Sequence, residues 1–206
     1  MGNAVAGRML GHRRERLPEA ATETADEAAL VAAAQRDPHA FTPLYDRYLD
    51  PVYRYCYRSL GSREAAEDAT SLVFSRALAS LRGCDPTAFR SWLFAIAHNT
   101  LANAARDRHP TASLDLACAI ADPLPSPEDE ALAAEERGSL RALLGQLPAD
   151  QRRVVEMRLA GLNGPETAAA LGKTHGAVKI TQHRAFLRMR VLLGIDAGKE
   201  ARDGRR

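Results

Sequence analysis

Apolar positions in this chain recur at three- and four-residue steps, the spacing of a helix with one buried face. In AFTPLYDRYLDPVYRYCYRSLG, residues Phe41, Leu44, Tyr45, Tyr48, Val52 and Cys56 form such a stripe. Gly61 follows it, where a helix end takes a left-handed residue. Ser62 then offers an N-cap to REAAEDATSLVFSRALASL, with Glu64, Glu67 and Asp68 near the positive end of the helix dipole. Gly83 breaks that helix, and Asp85-Pro86 supplies the next cap and first turn. AFRSWLFAIAHNTLANAARDR continues until Pro110. Upstream, Asp26 is expected to cap a short helix, DEAALVAAAQRD, closed by Pro38. Residues 1–25 show no periodicity and are expected to form a disordered extension.

Past residue 110 the texture changes. Pro110, Pro123, Pro125 and Pro127 punctuate an acidic run, so residues 111–136 read as a flexible linker. Helical patterning resumes at ALAAEERGSLRALLGQL, which starts at Ala131 and straddles the end of the linker, and continues in ADQRRVVEMRLAGL, GPETAAALG and THGAVKITQHRAFLRMRVLL, so the second domain is placed at 137–195. A basic tail occupies 196–206. The expected fold is all-α, with a four-helix domain over 26–110 and a smaller helical domain over 137–195, joined by the linker. Abundant alanine supports this, because alanine loses no side-chain entropy in a helix.

Charge refines the picture. The 206 residues carry a formal net charge of only +2. Between Thr111 and Leu140, however, seven carboxylates face Arg137 alone, a balance of −6. From Lys173 to the end, nine cations face three carboxylates, a balance of +6. Different parts should therefore meet different partners. Cys56, Cys84 and Cys118 are scattered, and no Cys/His group has metal-ligand spacing, so neither a metal nor a cofactor is expected. Thiols as small apolar fillers fit a reducing, cytoplasmic setting. Arg8, Arg13, Arg14 and Arg16 precede no apolar run, and Leu93–Ala105, the longest uncharged stretch, is too short to span a bilayer; neither a signal peptide nor membrane insertion is expected.

ETAAALG followed by THGAVKITQHR has helix-turn-helix proportions. That motif needs a small residue where its helices meet, a glycine for the left-handed turn and an apolar anchor in the second helix. Ala168, Gly172 and Val178 have that spacing. On a wheel, Val178, Ala185, Met189 and Leu192 share one stripe, flanked by Lys179, His183 and Arg190 on one side and Arg184 and Arg188 on the other. Such side chains reach phosphates and base edges in a major groove. Ile180 and Leu187 fall opposite the stripe, which a purely solvated helix would not favour.

Two blocks carry a family resemblance. FTPLYDRYLDPVYRYCYRSLGSREAAEDATSLVFSRALASL with FRSWLFAIAHNTLANAARDR resembles region 2 of the extracytoplasmic-function sigma factors. LPADQRRVVEMRLAGLNGPETAAALGKTHGAVKITQHRAFLRMR resembles their region 4. The resemblance spans about Asp26 to Leu193, with both blocks in order and an acidic linker between them. It implies a sigma factor that binds core RNA polymerase and directs promoter-specific initiation, reading the −35 element as duplex and the −10 element as melted strand. It implies core-polymerase contact by Glu67, Asp68, Thr70, Ser71, Val73 and Phe74; Ser71-Leu72 stands where many relatives carry Gln-Glu. It implies −10 contact by Trp92, Asn99, Asn103 and Arg106, with a base-accepting loop at about Arg82 to Ala88. For −35 contact it implies Lys179, Gln182, His183 and Arg184. An anti-sigma factor is a further partner expected from the family.

The alternative reading is a stand-alone helix-turn-helix regulator, which would need a dimer interface and paired half-sites; no long coiled coil or ligand domain is evident. An enzyme is not expected. His12, His39, His98, His109, His175 and His183 lie in unrelated contexts, and no phosphate loop or nucleophile constellation stands out, so no small-molecule substrate is expected either.

Overall fold

The computed structural model describes residues 16–107 and 138–195, and among these the regular structure is all helical. Helix α1 spans Arg16–Arg36, α2 Thr42–Leu60, α3 Arg63–Ser80 and α4 Phe89–Asp107. After the linker come α5 over 138–145, α6 Ala149–Leu159, α7 Gly164–Ala170 and α8 His175–Leu192. The expected linker and basic tail lie outside the described residues, as does Cys118.

The caps follow local chemistry. Ser62 Oγ accepts from the Ala65 N–H at 3.4 Å, opening α3. Gly61 takes φ 76° and its N–H returns to the Tyr57 carbonyl at 2.8 Å, closing α2. Helix α1 departs from expectation. It starts at Arg16, so residues 16–25 belong to a helix and Asp26 is interior, 3.3 Å from Arg47 of α2. The run Glu19–Ala29 is rich in Ala and Glu, which propagate a helix without a new cap, and Pro18 sits in the first turn, where its missing N–H costs nothing.

The first four helices close around Val31, Leu44, Val52, Tyr55, Val73, Phe89, Leu93 and Phe94, all fully buried. Each such Leu, Val or Phe contributes about 1.5–3 kcal/mol by leaving water. Edge-to-face rings tie the layers: Phe41 on Phe74 and Phe89, Tyr48 on Phe89, Tyr55 on Phe94.

The two helical units do not stand apart. Met157, Ala160, Leu162 and Ala170, from the second unit, join the same buried cluster as the first. Helix α7 packs along α4, and α6 meets α2. At this junction Glu156, buried in α6, accepts from Ser59 Oγ of α2 at 3.4 Å. Burial pushes its carboxyl above the usual range, against the pull of Arg152 and Arg58. His98 of α4 lies 3.4 Å from the Tyr55 hydroxyl. Burial and the nearby cations Arg153 and Lys173 push its imidazole below the ordinary histidine value.

Candidate nucleic-acid interface

Helices α7 and α8 form the helix-turn-helix. Ala168 and Val178 are buried against one another and against Val154 of α6. Gly172 takes φ 61°, a backbone region that a side chain disfavours. The turn closes by the Lys173 N–H on the Ala168 carbonyl at 2.9 Å. Asn163 and Glu166 form a reciprocal capping box at the start of α7, at 2.9 and 2.7 Å. Thr174 Oγ1 accepts from the Ala177 N–H at 3.2 Å to start α8. Val154, the third anchor, carries no local signal in the sequence, because its partners lie in α7 and α8. The Asn163-x-x-Glu166 spacing is itself a capping-box signature.

On α8, Val178 and Ala185 face inward and are fully buried, with Met189 half-buried behind them; Leu192, the fourth member of the expected stripe, is exposed. Lys179, His183, Arg184 and Arg188 are exposed, and Gln182 is half-buried. The expected −35 set therefore sits on one helix outside the buried stripe, with Gln182 at its margin. Ile180 and Leu187 are also exposed, at 55% and 44%.

Helix α3 divides the expected polymerase-contact set. Glu67, Asp68 and Ser71 are exposed, and Glu67 pairs with Arg63. Thr70, Val73 and Phe74 are not surface groups. They are buried in the first unit's own core, Val73 completely, and the Thr70 hydroxyl donates to the Ala66 carbonyl at 2.6 Å. Val73 and Phe74 are apolar because they pack in that core, and none of the three presents a contact surface in this conformation. Leu72, outside the expected set, is 43% exposed beside Asp68 and Ser71. A shallow cleft of about 570 Å³ runs between this face and α4, lined by Glu64, Asp68, Leu72, Arg76 and Asn103 among others.

On α4, Asn99 and Asn103 are exposed one turn apart, while Leu93, Ala97 and Leu101 are buried. Trp92 is half-buried with its ring 5.8 Å from Phe89, so it fills the core edge more than it faces out. Arg106 lies in α4, with its side chain outside the described residues.

The loop before α4 is held from both sides. Leu81–Gly83 and Pro86–Ala88 are short 3₁₀ turns. Asp85 accepts from the Thr87 N–H at 2.9 Å and hydroxyl at 2.8 Å, and these bonds hold its carboxyl below the usual range. Gln35 of α1 donates from Nε2 to the Leu81 carbonyl at 3.0 Å and the Cys84 carbonyl at 2.7 Å. No local signal points to Gln35, because its partners lie more than forty residues away in sequence. Cys84 is buried beneath the loop, and burial pushes its thiol up to about 11.

Residues 44–111 match the family model for Sigma-70 region 2, and 137–189 that for Sigma-70, region 4. The chain is 35% identical to the ECF RNA polymerase sigma factor BldN of Streptomyces coelicolor, covering 95% of this chain and 79% of that one. It is 33% identical to ShbA of Streptomyces griseus, covering 82% and 96%. Among solved structures, CnrH in complex with the cytosolic domain of CnrY superposes with a TM-score of 0.65 at 26% identity, covering 83% of this chain and 99% of that one. RpoE of Bartonella quintana, solved with the anti-sigma factor NepR, shares the fold at a TM-score of 0.57, covering 76% and 98%. With both regions matched in order and relatives this similar along most of the chain, the protein belongs to the extracytoplasmic-function group of sigma-70-type RNA polymerase sigma factors.

Proposed function

We propose that this sigma factor divides its work among three surfaces. The α3 face of Glu67, Asp68 and Ser71, extended by Leu72, meets basic and apolar groups of core polymerase. Asn99 and Asn103 of α4, with Arg106 further along and Trp92 at the edge, receive the melted −10 strand; an amide side chain offers both donor and acceptor to a base edge. Lys179, His183 and Arg184 of α8, with Gln182 beside them, read the −35 duplex. The observation that carries this reading is α8 itself: a cationic row outside a buried Val178–Ala185 stripe, on a motif whose turn is set by Gly172. The near-neutral chain, at +2, has little charge with which to hold DNA on its own, so promoter affinity arises in the complex with polymerase. It acts in the cytoplasm, without catalysis of its own. A protein inhibitor is a fitting regulator, since relatives of this fold were solved with CnrY and NepR.

The test is transcription by purified core polymerase, with and without the protein, on a library of randomised promoters. Transcripts that start only with the protein present, enriched in two spaced elements, are expected. No initiation and no co-elution with core polymerase would overturn the reading and favour a stand-alone regulator.

A further inference from the structure

The amide of Gln35 has two N–H donors, and both are spent on backbone carbonyls of one exposed loop: Leu81 at 3.0 Å and Cys84 at 2.7 Å. These two carbonyls mark the start and the exit of the same 3₁₀ turn, which the Cys84 N–H also closes on Leu81 at 3.0 Å. Gln35 therefore clamps the turn across its open end. Its own anchorage is firm: the preceding Ala34 and nearby Val31 are buried, and α1 packs on both 3₁₀ segments. The buried side chains of Leu81 and Cys84 pin the turn from beneath, and Asp85 fixes the next residues by its bonds to Thr87. What remains outward is the tip, Arg82 and Gly83, with Asp85 and Thr87 beside it, all exposed.

We infer that Gln35 is a positioning residue for −10 base readout: it touches no DNA, and it sets the shape of the Arg82–Thr87 loop that receives an extruded base. This rests on the proposed −10 role of α4 and its preceding loop. The physical reason is pre-organisation. A base taken from the duplex costs a few kcal/mol of unstacking, and only a pocket already in shape returns that cost selectively for one base. Backbone groups in a loop this short discriminate between bases only if they are held. Without the clamp, the Leu81 and Cys84 carbonyls turn to water and the tip samples several shapes. Initiation can then continue, but the preference for one base flattens.

The experiment compares the full-length protein with Gln35→Leu, which keeps volume and removes both donors, and Gln35→Lys, whose ammonium can donate to both carbonyls. Each is assembled with core polymerase and transcribes a library randomised across both elements, alongside melting temperature and polymerase affinity. For Gln35→Leu the expected result is about a tenfold fall in discrimination at one −10 position, the scale of losing two hydrogen bonds. The −35 preference and polymerase affinity should stay within about twofold. Gln35→Lys should restore much of the −10 preference. A uniform loss of activity that tracks melting temperature, with both logos unchanged, would make Gln35 an ordinary brace and overturn the inference. So would no change at all. Absence of any −10 preference in the unsubstituted protein would instead overturn the proposed function.

Discussion

At the scale of single residues, burial decides what the α3 helix can offer. Asp68 and Phe74 lie on one helix, yet one is exposed and the other is packed edge-on against Phe41. Asp68→Lys should therefore weaken core-polymerase binding about tenfold and leave the melting temperature unchanged, as expected when a charge faces its complement across an interface. Phe74→Ala should cost about 3–5 kcal/mol of stability by leaving a cavity. Thermal melting and polymerase pull-down on the same two variants separate these effects. The sequence stripe alone could not, because buried and contacting apolar residues follow the same helical period. His98 carries a pH dependence. Its folded-state affinity for a proton is lowered by burial and then by Arg153 and Lys173, while the unfolded chain takes the proton at about the ordinary 6.5. His98 thus contributes stability above that pH, and the contribution is lost on acidification through its lowered folded value. Melting temperature should drop between pH 7.5 and about 5.5, and drop less in His98→Gln. Equal slopes in the two proteins would show that this imidazole is not the titrating group.

At the scale of elements, legibility followed the range of the interactions. The α7–α8 motif could be read directly, since Ala168, Gly172 and Val178 meet within eleven residues and the turn needs a left-handed glycine. Caps at Ser62, Asp85 and Thr174 were legible for the same reason. The start of α1 was not. An Ala- and Glu-rich run has no boundary signal of its own, and Asp26 resembles a cap until Arg47 of another helix is found beside it. Gln35 and Val154 were hidden likewise, because their partners come from distant segments. The elements also separate stability from reading on α8. Thr174→Ala removes the acceptor that starts the helix and should cost about 1 kcal/mol. It should lower occupancy of every −35 sequence alike. Lys179→Ala or Arg184→Ala should leave melting untouched and relax preference at individual −35 positions, each good base contact being worth about 1–3 kcal/mol. Promoter-library sequencing checks this: if Thr174→Ala changes the preferred bases, the cap itself takes part in readout.

At the scale of the whole molecule, the shared core sets a requirement on function. Helix α7 lies along α4, and Met157, Ala160, Leu162 and Ala170 are buried with first-unit residues. A compact chain of this size has a radius of gyration of about 17 Å, hence a diameter of about 45 Å. The −35 and −10 elements are separated by about 25 base pairs, roughly 85 Å of duplex at about 3.4 Å per pair. One closed molecule cannot place α8 and α4 on both elements of straight DNA. On the proposed assignment of α8 to the −35 element and α4 to the −10 element, the α4–α7 contact parts when polymerase and promoter are engaged. The junction is suited to parting. Burial holds the Glu156 carboxyl above the usual range there, and the buried Arg58 Nε and Nη2 have no hydrogen-bond partner, so the interface is less stable than an apolar one of equal area. Donor and acceptor dyes placed at Asp46→Cys, exposed on α2 away from the proposed polymerase face, and Arg188→Cys, with Cys118→Ser so that only the buried Cys56 and Cys84 remain as native thiols, report the separation. Energy transfer should be high in the free protein and fall sharply when core polymerase is added. Met157→Asp, which sets a charge in the shared core, should lower transfer in the free protein without polymerase. Transfer that stays high in a polymerase–promoter complex active in transcription would mean that the DNA bends to the closed protein, and the parting of the two units would be ruled out.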